Sequence, residues 1–164
     1  MFHRVCPDSL KPRIRGNAGL EVTPEYLENM IWFLRQNDYE IVSLTQAVQI
    51  LNGGHEGKKF AVFTFDDGYA DNYLCAYPVF KKHEVPFTIY VTTHFPDGKA
   101  ILWWYLLEDL ILKENRIEFE FDGRGYQYSC ASFWEKERTY QDIHGLILNS
   151  PPDILTQRIQ QIFK

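Results

Sequence analysis

Two adjacent carboxylates, Asp66 and Asp67, close the apolar run Ala61-Val62-Phe63-Thr64-Phe65 and are followed at once by Gly68 and Tyr69. Two carboxylates side by side influence each other's ionisation, which makes the pair a candidate for chemistry if both reach one pocket. The run before them has the apolar, aromatic and β-branched character of a strand covered on both faces. Gly68 lets the chain turn through a positive φ, so the strand ends there. In a regular strand Asp66 and Asp67 would face opposite ways. At the last residues of a strand both can reach one rim, which is where α/β folds place their chemistry. Asp-Asp-Gly by itself reads as a turn with solvated acids. An aspartate-based phosphoryl-transfer site, which typically spaces its acids as Asp-x-Asp, fits the pair poorly.

The elements needed to hold that pair follow in order along the chain. Phe2 to Val5 reads as a short strand, followed by a loop rich in Pro, Arg and Gly up to Leu20 in which Arg13 and Arg15 are expected to be solvated. Thr23 caps a helix with Pro24 at its first position, and Leu27, Met30, Ile31 and Leu34 make one buried stripe. Tyr39 to Val42 is a strand; Ser43 and Gln46 form a capping box for a helix that Gly53-Gly54 ends. His55 reads as a loop residue. Past the acids, Asp71 is expected to cap a helix through Phe80 whose first turns Pro78 disturbs, and Lys81-Lys82-His83 to form its solvated end. Pro86 to Thr92 is a second near-continuous apolar strand. This strand-helix-strand rhythm predicts α/β architecture with a parallel sheet. His94 follows that strand and would lie at the same rim as the acids.

Beyond it, Leu102 to Leu112 is apolar on more than one helix face and needs cover on two sides, from the sheet and from something else. Arg116 to Phe121 alternates, Asp122-Gly-Arg-Gly125 turns, and Tyr126 and Tyr128 return, giving a β-hairpin at about 116–129 outside the preceding rhythm. The remainder is helical with a break at Ser150-Pro151-Pro152-Asp153.

The run Thr64-Phe65-Asp66-Asp67-Gly68-Tyr69 closely resembles the first motif of the polysaccharide deacetylases, the NodB-homology carbohydrate esterases. Phe2-His3-Arg4-Val5, the Pro-Phe-Thr-Ile-Tyr-Val strand within Val85 to Thr92, and Leu102-Trp103-Trp104 match in the same order. The resemblance covers most of the chain but only the N-terminal portion of the family's domain. It implies a single domain over 1–164, a partial (β/α) barrel of the distorted, TIM-like NodB type, with the hairpin as an insertion. It implies a bacterial-type hydrolase acting on non-peptide C–N bonds, removing mainly N-acetyl groups from a polysaccharide or glycan. Asp66 would be the catalytic base and Asp67 the ligand of a divalent metal, most simply zinc. Thr64 and Tyr69 would support them, and His3 and His94 would lie at or behind the pocket.

The family's His-x-x-x-His metal segment has no counterpart, since no two of His3, His55, His83, His94 and His144 are four apart. The later Arg-Pro motif and the final strand histidine are also missing. A zinc site needs about three protein ligands, so the set is incomplete. A non-catalytic truncated barrel serving as an interaction module is therefore the alternative expectation, with self-association through an open barrel edge.

Composition sets the outer bounds. The 164 residues are 45% hydrophobic and 16% aromatic, enough for a sizeable core, and no stretch reaches the ~20 apolar residues of a membrane helix. A net charge of -5 argues against nucleic acid as the main partner. Cys6, Cys75 and Cys130 are odd in number and widely spaced, as fits a reducing compartment. No signal peptide is visible, which points to the cytoplasm by default although the resembling family often acts at the bacterial envelope.

Overall fold

The computed structural model describes residues 1–7, 13–53, 57–99, 101–151 and 154–163. The chain forms two compact units, one of Met1–Lys11 with Leu20–Ala100 and one of Pro12–Gly19 with Ile101–Lys164. His55 and Gly54 lie outside the described residues.

The first unit is α/β with parallel pairing throughout. Its elements are β1 (Arg4–Val5), β2 (Glu21–Val22), α2 (Pro24–Gln36), β3 (Glu40–Ile41), α3 (Leu44–Gly53), β4 (Phe60–Ala61), β5 (Phe63–Phe65), a π-helical segment (Asn72–Ala76), α4 (Tyr77–Lys82) and β6 (Phe87–Ile89). A short α1 (Arg15–Ala18) between β1 and β2 belongs to the other unit. β1 pairs with β2, β3 with β4, and β5 with β6 in the register Phe63 to Phe87, Thr64 to Thr88 and Phe65 to Ile89. A parallel bridge joins Phe2 to Phe65. Among the described residues these pairs do not close into a barrel.

Local chemistry explains the elements. Thr23 accepts from the Tyr26 N–H at 3.1 Å with Pro24 in the first turn, and Ser43 and Gln46 bond each other's backbone N–H, as their spacing predicts. Leu27 and Ile31 of the predicted stripe are wholly buried, and Met30 and Leu34 pack partly beside them. They meet Val5, Phe63, Phe65, Ala76, Phe80 and Val85 in one core. Phe65 sits edge-on to Phe80 and Phe87 at 5.7 and 5.9 Å, so the last residue of β5 is its best-anchored one. Burying such a ring contributes roughly 1.5–3 kcal/mol, and this fixes where the strand ends.

Pro78 leaves its mark as expected. The residues before it form a π-helical turn, and regular α-helix begins only at Tyr77. Two expectations fail nearby. Asp71 stands at the N-cap position but makes no capping bond, its carboxylate being drawn to β1 instead. His83 is not solvated: its ring is held against Glu28 at 2.8 Å and edge-on to Trp32, while the Arg35 guanidinium takes its carbonyl. The strand expected over Pro86 to Thr92 is shorter, because only Phe87–Ile89 find partners on β5.

The second unit holds α1, α5 (Trp103–Lys113), the hairpin β7 (Arg116–Phe121) and β8 (Arg124–Ser129), α6 (Phe133–Leu148) and α7 (Leu155–Ile162). The hairpin turns on Asp122 and Gly123, both at positive φ, a two-residue turn whose twist suits the paired strands. Ile117 and Phe121 face a core with Leu107, Ile111, Ile143 and Ile147. Ser132 and Glu135 form a capping box at the start of α6. The polar surprise is Glu108, 2% exposed in the middle of α5. It accepts from Arg13, from the Ile14 N–H at 2.7 Å and from Asn17 at 2.8 Å, and Tyr140 in turn donates to Asn17 at 2.8 Å. Arg13, expected to be solvated, is thus an ion-pair partner. No helix among the described residues is long and apolar enough to cross a membrane.

Candidate functional site

The two acids stand where β5 stops. The Asp66 N–H still donates to the Phe2 carbonyl at 2.9 Å, so Asp66 remains tied to the sheet. The chain then reverses within one residue: the Gly68 N–H donates to the Asp66 carbonyl at 3.0 Å around Asp67, whose φ is +74°. A bond from i+2 back to i across positive φ is the strained form of the γ-turn, rare for a residue with a side chain. Strain of this kind costs about 1–3 kcal/mol and collects at functional sites. Gly68 follows at φ +77°, and a Cβ there would lie 3.1 Å from both Val91 methyls. The left-handed conformation favours glycine, and a Cβ would in addition crowd Val91.

This turn gives the two carboxylates different surroundings. Asp67 Oδ2 lies 3.0 Å from His3 Nδ1. A carboxylate only accepts, so Nδ1 is the donor of this pair. The Asp66 carboxylate is half-buried and has no hydrogen-bond partner among the described residues. One acid is oriented by the protein, and the other is left open to solvent or substrate.

The remaining residues singled out in the sequence take varied places. Thr64 lies on the opposite face of β5 from the buried Phe63 and Phe65, and its carbonyl accepts from Phe2. The Tyr69 ring is covered by the Arg4 guanidinium at 5.1 Å and by Phe95 at 5.9 Å. His94 is in the loop after β6, which the Thr92 N–H ties loosely to the Asp67 carbonyl at 3.5 Å, but its exposed side chain contacts neither acid. The turn thus brings His3 to Asp67, with Asp66 and Tyr69 adjacent along the chain, while His94 lies in the loop after β6.

Asp71 and Asn72 were not foreseen here. Asp71 accepts from Arg4 Nε at 2.8 Å and from the Val5 N–H at 3.2 Å; Asn72 donates to the His3 carbonyl at 2.9 Å. Cys6 also donates weakly to Asp71, at 3.6 Å, and burial with the nearby Asp71 and Glu21 carboxylates pushes its thiol up to about 11. Cys6 is therefore a poor ligand and nucleophile near neutral pH.

Whether these residues suit zinc can be judged from the donor set. Catalytic zinc takes about three protein ligands. Among the described residues no three His, Cys, Asp or Glu side chains are grouped to hold a metal. Asp67 has already committed one oxygen to His3. The described residues offer one donor of such a site, not a set.

A parallel-strand unit ending on Thr-Phe-Asp-Asp-Gly, with the aspartates at a strained turn, is the arrangement to set beside known proteins. The sequence pattern of the polysaccharide deacetylases matches residues 53–146, more than half of the chain. YxkH of Bacillus subtilis (strain 168), provisionally named a polysaccharide deacetylase, is 36% identical over 100 residues, covering 60% of this chain and 34% of that protein. Among solved structures, the Streptococcus pyogenes deacetylase PplD, determined in complex with acetate, is 25% identical with a TM-score of 0.50 over 65% of this chain and 48% of its own. IcaB from Ammonifex degensii is 30% identical with a TM-score of 0.45, over 55% of this chain and 35% of its own. The chain belongs to the polysaccharide deacetylase family. It spans about a third of the length of YxkH and about half that of PplD.

Proposed function

We propose that this chain is part of a metal-dependent hydrolase that removes acetyl groups, mainly N-acetyl, from a polysaccharide or glycan, and that its strands form part of a NodB-type barrel. The observation that carries the reading is the asymmetry of the acid pair: Asp66 open and half-buried, Asp67 turned by strained backbone and bonded to His3. Family membership supplies the reaction class.

In that reaction water adds to the acetyl carbonyl, the C–N bond breaks, acetate leaves and the amine takes up a proton. Asp66 is the group placed to accept the proton from water, since its oxygens have no competing protein donor among the described residues. His3 holds the Asp67 carboxylate in one orientation and so keeps the second negative charge fixed beside the first. Zinc belongs to the proposal for the whole protein, with Asp67 as one ligand and the others supplied by residues outside the described set. With such a set complete, Asp67 would help to hold a Lewis acid for the carbonyl and the attacking water. Self-association with a second copy through the far edge of β6, unpaired among the described residues, completes the proposal.

Binding tests the reading before turnover does. Titrating the isotope-labelled chain with N-acetylglucosamine oligomers should move the amide signals of Asp66 to Tyr69, and fully deacetylated glucosamine oligomers should move them less. Equal responses to both sugars, or shifts confined to residues away from the turn, would count against it.

A further inference from the structure

We infer that Asp71 and Asn72 are positioning residues for the acid pair: together they replace a missing stretch of strand and fix the bend that delivers His3 to Asp67. This inference rests on the proposed site but not on its catalytic activity.

The backbone shows why such a device is needed. Phe2 pairs with β5, its N–H donating to the Thr64 carbonyl and its carbonyl accepting from Asp66, both at 2.9 Å. Two residues later the chain pairs the other way, with the Arg4 N–H on the Leu20 carbonyl at 3.2 Å and the Cys6 N–H on Val22 at 2.9 Å. His3 is the bend between these two ladders. Because β5 has ended at Phe65, the His3 carbonyl and the Val5 N–H face no strand. Asn72 Nδ2 takes the carbonyl at 2.9 Å, and Asp71 Oδ1 takes the N–H at 3.2 Å. Asn72 Nδ2 also lies 3.3 Å from Asp71 Oδ1, and Asp71 Oδ2 holds Arg4 at 2.8 Å, so the two side chains act as one unit.

Two features separate this from ordinary filling of hydrogen bonds. Asn72 is 1% exposed, yet its Oδ1 has no partner among the described residues while its NH2 serves two acceptors. Such an orphan is uncommon in a buried group and marks a side chain held for its donor end. Asp71 occupies the N-cap position of the following helical segment and leaves that helix uncapped. Asp71 reaches Arg4 and Val5, and Asn72 reaches His3, in a segment some 65 residues back in sequence, and His3 carries the ring that orients Asp67.

The test reads the His3 ring in the whole chain by nitrogen NMR at one fixed pH, without metal or substrate. Asp67→Ala supplies the reference for a ring that has lost its carboxylate. Asn72→Leu, which keeps the volume and removes the donor, should bring the His3 nitrogen signals to the Asp67→Ala positions, with the core methyls of Leu27 and Ile31 unmoved. Asp71→Asn keeps an acceptor for Val5 and weakens the hold on Arg4, so it should move the ring part of the way. His3 signals at wild-type positions in a folded Asn72→Leu would overturn the inference. Should that variant fail to fold, wild-type His3 signals in Asp71→Asn would overturn it equally. Because no turnover is measured, an inactive protein with these shifts would sink the deacetylase reading and leave the positioning role standing.

Discussion

Asp67 and Gly68 are two consecutive positive-φ residues at the end of the best-anchored strand of the first unit, where Asp38 and Glu84 take such a φ singly. Gly68→Ala should cost about 1–2 kcal/mol from the left-handed conformation, with further loss if Val91 cannot give way. A midpoint in urea unchanged within error would show that the turn relaxes freely. Cys6 supplies a second test, because its thiol is raised to about 11 by burial first and by neighbouring carboxylates next. At pH 8 about one thiol in a thousand should be thiolate, so alkylation of Cys6 should be far slower in the folded chain than in urea. Equal rates would mean the Asp71 cluster is open. At this scale the sequence displayed the acids and the glycine plainly, since strand, carboxylates and turn are contiguous. It hid what they touch. Asp71 two residues after a turn looks like a helix cap in sequence, and only the fold shows Arg4 and Val5 within its reach. His3 was legible as a pocket neighbour, but its bond to Asp67 joins residues 64 apart.

Among the elements, α5 shows both the power and the blindness of pattern. Its apolar residues cover more than one face, which called for cover from the sheet and from something else, and within the second unit the hairpin and α6 share its core. The same pattern gave no notice that Glu108 is buried mid-helix, because the adjacent acids Glu108 and Asp109 do not show which of them faces the core. The partners lie in Arg13 to Asn17, read as a solvated loop. Removing one side of a buried, bonded ion pair leaves the other uncompensated, so Glu108→Ala should cost about 3–5 kcal/mol in urea unfolding of the second unit. A loss under about 1 kcal/mol would show that water replaces the carboxylate. His144 adds a pH dependence. Packed on Trp103 and Tyr140 at 5.0 and 5.4 Å, its ring is held by burial below the ordinary 6.5. The unfolded chain therefore takes up the proton first. The contribution of His144 is intact above about 6.5 and lost progressively as pH falls below it. His144→Phe should flatten that part of the stability profile; a profile identical to wild type would remove the group from the account.

The whole molecule departs from a simple reading along the chain. Its second unit borrows Pro12–Gly19 from between two strands of the first. Expressed alone, residues 101–164 would keep the apolar faces of the hairpin and helices but lose Ile14 and the partners of Glu108. That fragment should show no cooperative thermal transition, and a sharp one would mean the borrowed segment is dispensable. The strand-helix rhythm announced the parallel unit and the alternation announced the hairpin, but no local pattern marks a segment that packs away from its neighbours. The claim on which the functional account turns is that the Asp66–Asp67 turn is the working part of a deacetylase. Acetate release from N-acetylglucosamine oligomers by the whole protein that carries this chain and its remaining zinc ligands, with zinc in the buffer and Asp66→Asn beside the wild type, tests it most directly. The account predicts release by the wild type and a loss of at least about 100-fold in the variant, the scale of a positioned general base. Equal rates, or no acetate from either protein, would contradict it.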